Sequence, residues 1–152
     1  MEIKALFVFL HLAGVVVWVG GMFFAYVCLR PVAASQLQPP QRLSLWTGVF
    51  DKFFPWVWLA VALILLSGLA MIAQVGFPSA PRYWNLMMGL GIVMMLIFAH
   101  VFFAPFKRLK RNVAAQDWPQ AGAALNQIRQ LVALNLTLGL ITIAVATLGR
   151  ML

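Results

Sequence analysis

The sequence predicts an all-α integral membrane protein, a bundle of four transmembrane helices. Hydrophobic residues make up 64% of the 152 and charged residues only 9%, giving a mean hydropathy of +0.95. The apolar residues gather into four long runs, about 5–29, 53–77, 83–106 and 131–149, and the cations fall mainly between them. At about 1.5 Å of rise per residue, each run is long enough to cross a hydrocarbon core of about 30 Å. In lipid a backbone spans only as a helix or a closed barrel, because an unpaired peptide group finds no water there. Four spans leave no room for a soluble domain, so residues 1–152 read as a single membrane domain.

The first run is too long for the apolar core of a secretory signal, and its stronger flanking charge, Arg30, follows it. It is therefore expected to remain in the mature protein. Cys28 is the only cysteine, which excludes an intrachain disulfide. In the following segment, 30–52, Pro39 and Pro40 mark a turn, after which Leu43, Trp46 and Phe50 recur at helical spacing beside Arg42 and Lys52. Two readings stay open there: a short amphipathic helix in the membrane interface, or the start of the second spanning helix. Pro55 suits a first helical turn, where it removes no backbone bond. After the third run, Lys107, Arg108, Lys110 and Arg111 form a patch expected to meet lipid head groups. Asp117 can cap a helix that takes Pro119 in its first turn, so the fourth helix is expected to begin ahead of the membrane.

Alternating spans put segments 30–52 and 107–130 on one side, with Arg30, Arg42, Lys52, Lys107, Arg108, Lys110, Arg111 and Arg129. Only Lys4, Arg82 and Arg150 lie on the other. Eight cations against three make these two segments cytoplasmic loops and both termini periplasmic. The net charge of +8 is thus topogenic, and nucleic acid is not an expected partner. Membrane lipid is. Few charged side chains fall within the spans, so no carboxylate pair for acid–base work and no acidic proton relay is visible. An enzyme is not the expected class.

The intramembrane polar residues are few, and His11 and His100 carry the most chemistry, since imidazole binds metals and haem iron. At about 100° per residue, His11, Gly14, Trp18, Gly21, Met22 and Ala25 form one stripe on the first helix. Small residues on such a stripe let helices approach closely, so this face is expected to turn inward. Ser67, Gly68, Met71 and Gln74 make the matching face of the second helix; Asn85, Gly89, Leu96 and His100 that of the third; Asn135, Gly139, Thr142 and Ala146 that of the fourth. Met87, Met88, Met94 and Met95 lie opposite His100 and read as packing, or as a surface for a homodimer or membrane partner.

Depth separates the two histidines. His11 lies about 7 residues from the outer boundary and His100 about 18, an offset of roughly 16 Å along parallel helices, which disfavours their sharing one haem. Two levels are expected instead, His11 with Met71 nearer the outside and His100 with Met22 nearer the cytoplasm. Imidazole with thioether suits Cu(I), and equally a His/Met haem.

The sequence His11, six residues, Trp18-Val19-Gly20-Gly21 and then Leu29-Arg30-Pro31 resembles the opening helix of the copper-resistance D (CopD) family of small bacterial inner-membrane proteins. Ser67-Gly68, His100, and Arg129 with Asn135 and Gly139 are similar to that family's later helices. The resemblance implies copper handling at the bacterial inner membrane, commonly import toward the cytoplasm. The first helix also resembles that of HemJ-type protoporphyrinogen oxidases, four-helix membrane proteins associated with haem b. The chain departs from them at Met88, where that family carries lysine, and lacks their Asn-Glu-x-Pro stretch in the fourth helix; bound haem stays open. Three functions follow as expectations: copper transport or resistance through His11, Met71, His100 and Met22; a haem b redox protein with His11 or His100 as axial ligand; or an accessory subunit whose histidines only cross-link helices.

Overall fold

Peptide groups in lipid must find their partners within the chain, and here helices consume nearly all of it. The structure, a computed structural model, describes residues 2–149. The helices are α1 (Ile3–Gln36), α2 (Pro39–Val75), α3 (Arg82–Phe103), α4 (Pro105–Ala114) and α5 (Trp118–Leu148). No strand occurs among the described residues. α1, α2, α5 and the α3–α4 stretch are each long and apolar enough to cross a membrane, which makes this a multi-pass membrane protein.

The breaks have local causes. Leu37 and Gln38 are extended ahead of Pro39, as a residue before proline prefers, and the Gln41 side chain accepts from the Gln38 N–H to close the start of α2. Gly76, at φ 84°, ends α2 in a conformation that favours glycine. Ala104 leaves helical geometry before Pro105, which separates α3 from α4. Asp117 accepts a hydrogen bond from the Gln120 N–H at 3.2 Å, and Pro119 lies in the first turn of α5.

Helices therefore run well past the apolar runs at the cation-rich end, and segments 30–52 and 107–130 are mostly helical rather than loops. Leu43, Trp46 and Phe50 are all buried in the first part of α2, which settles that stretch as the start of the spanning helix. Pro55 accordingly lies in the interior of α2, not its first turn. Its ring faces outward, and the Asp51 carbonyl loses its helical partner. Within α1, Val16–Gly20 and Phe24–Leu29 are π-helical. The wider turn lets adjacent Trp18 and Val19, and then Met22, all be buried.

α1 packs mainly on α2, while α5 packs on α3 and α4. Gly14 is the close point of the first pair: a Cβ there would lie 2.8 Å from Ile64 Cγ1 and 3.0 Å from the Ala60 carbonyl oxygen. Gly21 likewise leaves room for the end of the Phe53 ring. Phe54 is the hub of an aromatic core, with ring centroids 5.0 Å from Phe50, 5.4 Å from Phe98 and 4.8 Å from Phe106. Trp18 joins from α1 against Phe98 at 6.1 Å. α4 buries Phe106 and Leu109 while its cations stay out, and Lys110 pairs with Asp51 of α2 at 2.7 Å. Both partners are about half exposed, so that pair contributes little stability.

Gly14→Val must push α1 off the α2 backbone, whereas Gly20 has open space around it. In detergent, thermal unfolding is expected to show Gly14→Val destabilised by about 1–3 kcal/mol, the usual cost of overpacking, with Gly20→Val near wild type. Equal midpoints for the two variants would contradict the packing described.

Candidate functional site

His11 lies in the third turn of α1, half-buried, on the face that meets α2. Its Nδ1 is 3.0 Å from the hydroxyl oxygen of Ser67, which is 2% exposed. That hydroxyl donates its proton to the Leu63 carbonyl oxygen, 2.5 Å away on its own helix. With its one proton on that carbonyl, the hydroxyl is left to accept from the imidazole, an arrangement that assigns the N–H to Nδ1 and the lone pair to Nε2. Gly68 lies beside the ring: a Cβ at that position would be in van der Waals contact with His11 Cε1, at 3.4 Å. Metal-ligating histidines are commonly held through one ring nitrogen in this way while the other binds the metal. Met71, partly buried, follows one turn after Ser67 on the same face of α2.

Deeper in the bundle, Met22 is 4% exposed and borders a small cavity of about 30 Å³ with Trp18, Phe54, Val101 and Asn135. The Asn135 amide donates to the Met94 carbonyl oxygen at 3.3 Å. Its Oδ1 is buried and has no protein partner, unlike every other buried side-chain polar atom among the described residues. The Met94 sulfur in turn lies 3.9 Å from Thr142 Oγ1, which donates to Leu138. The inward stripes expected on α1 and α5 are thus present, and on α2 only Gln74 falls outside.

α3 is turned about its axis from the expected orientation. Asn85, Gly89, Leu96 and His100 are exposed, while Met94, Phe98 and Val101 are buried and Met87, Met88 and Met95 partly so. The structure does not bring His100 to Met22; Ile97, Phe98 and Val101 occupy the α3 side of that cavity. Nor do the methionines present an exposed surface for a partner. Asn85 and His100 lie three residues from opposite ends of α3, where a polar group outside the bundle reaches an interface, so burial was not required of them. Cys28 is exposed as well.

Among the described residues no three of His, Cys, Asp and Glu cluster. Neither the cavity beside Met22 nor the larger one at the cation-rich end is lined by His11 or His100. The Met22–Asn135 pairing could not be read from spacing alone, since it depends on how α1 and α5 rotate against each other. The signal was a lone asparagine on an otherwise apolar stripe.

No curated protein and no solved structure matches the chain. The family profile described as copper resistance protein D matches residues 47–148, which covers most of α2 and all of α3 to α5 and leaves α1 with His11 outside. With more than half of its length matched, the chain belongs to the copper resistance protein D family.

Proposed function

We propose that this protein carries Cu(I) across, or hands it on at, the bacterial inner membrane, with His11 as the ligand that receives the ion from the periplasmic side. The observation that carries the reading is the Ser67 hydroxyl on His11 Nδ1, which spends one ring nitrogen on the fold and leaves the other for a soft cation. Family membership supports the copper connection.

In this reading the cation-rich end is cytoplasmic, and His11, about 12 Å along α1 from Ile3, is nearer the periplasm. Met71 supplies the thioether that completes a two-coordinate site. Met22 and the unpaired Oδ1 of Asn135 form the next soft-plus-oxygen position inward. His100, on the outer face of α3, takes no part in the path.

Copper uptake into proteoliposomes is expected to fall by more than about tenfold in His11→Ala, the scale on which a lost support alone weakens a metal site, and to stay at wild type in His100→Ala. Equal loss in both, or in neither, contradicts the path. Ser67→Ala removes the orienting hydroxyl without touching the ligand. Titration against a Cu(I) chelator is expected to show affinity about 10–100-fold weaker, with an unchanged circular dichroism spectrum. A visible spectrum of protein from haem-replete cells provides the competing outcome: a Soret band that disappears in His11→Ala replaces copper by haem b at the same residue.

A further inference from the structure

Three arginines from three helices line one cavity at the cation-rich end: Arg30 near the end of α1, Arg42 in the first turn of α2, and Arg129 three turns into α5. The cavity measures about 390 Å³, and its walls include apolar Leu43 and Phe50 together with Trp118. Arg30 and Arg42 are half-buried and Arg129 is exposed. Among the described residues no carboxylate lines the cavity. Of the acids described, Asp51 is engaged by Lys110 and Asp117 caps α5. Arg30 has only the face of the Tyr26 ring, 4.7 Å from its guanidinium carbon.

Three arginines bordering one volume give it a positive potential that an anion relieves. Their planar forks match phosphate oxygens in bidentate fashion. The same charge repels Cu(I), which sets this cavity apart from the soft ligands nearer the middle of the bundle. The exposed cations of α4 differ in kind: Lys107 and Lys110 lie over Phe103 and Phe106, and Arg108 donates to Gln127.

We infer that this cavity binds the phosphate group of an anionic ligand, from a phospholipid head group or from a free phosphate species. An apolar wall beside the arginines suits the acyl portion of a lipid, and basic pockets between helices at this level of a membrane protein bind such head groups. The site is independent of the copper reading, because none of its residues is a proposed copper ligand.

The test uses the full-length protein, stripped of lipid in detergent, and reads its thermal midpoint as phosphatidylglycerol, phosphatidylcholine or inorganic phosphate is added. Phosphatidylglycerol is expected to raise the midpoint at about tenfold lower concentration than phosphatidylcholine. A rise with inorganic phosphate alone assigns the site to a free phosphate species. The Arg42→Gln and Arg129→Gln variants are expected to weaken the response about tenfold each, while Lys107→Gln with Arg111→Gln leaves it unchanged. If the glutamine variants do not fold, Arg42→Lys and Arg129→Lys keep the charge and lose the fork, and the response is still expected to weaken. No response of wild type to phosphatidylglycerol or phosphate beyond that to phosphatidylcholine overturns the inference, as does equal weakening in the α4 variant.

Discussion

The contact on which the molecule depends is the close crossing of α1 over α2 at Gly14. Between helices in lipid there is no hydrophobic driving force, because the acyl chains are as apolar as leucine, so association rests on van der Waals contact and hydrogen bonds. Gly14 supplies the first by letting α1 approach the Ala60 carbonyl and Ile64. The approach brings His11 within reach of Ser67, which supplies the second. The same alignment carries Trp18 to Phe98 and Met22 to the cavity beside Asn135.

The bundle divides its chemistry by depth. Imidazole, thioether and an unpaired amide oxygen occupy the apolar interior, where one ring nitrogen of His11 is fixed by a hydroxyl that is itself committed to a backbone carbonyl. Arginines gather at one end, where helices extend beyond the apolar runs and enclose a volume that no acid among the described residues lines. A soft cation and a phosphate group would thus find separate environments in one small chain. Membership of the copper resistance protein D family gives the chain a copper connection, and the match includes the parts of α2 and α5 that hold Ser67, Met71 and Asn135.

Much of this was legible in the sequence. Run length specified four spans, because the bilayer sets a length and forbids unpaired backbone. The stripe of Gly14, Trp18 and Met22 revealed the inward face of α1, and a single asparagine that of α5. The rotation of α3 was not legible: its polar residues lie near its ends, where lipid does not force them inward, and flexible Met94 fills the core instead. The arginine cavity was not legible either, since Arg30, Arg42 and Arg129 are far apart in sequence and meet only where three helix ends converge. Spacing also could not tell that Pro55 lies inside α2, because exposed faces of membrane helices tolerate a proline that neighbouring helices stabilise.

The central claim is that Ser67 holds His11 through Nδ1 and leaves Nε2 as a free donor. Nitrogen-15 magnetic resonance of the protein labelled at histidine, in lipid, reads this directly. The account predicts a neutral His11 ring protonated at Nδ1, with the Nε2 resonance moving when Cu(I) is added. A ring protonated at Nε2, or an Nε2 resonance unmoved by Cu(I), would contradict it.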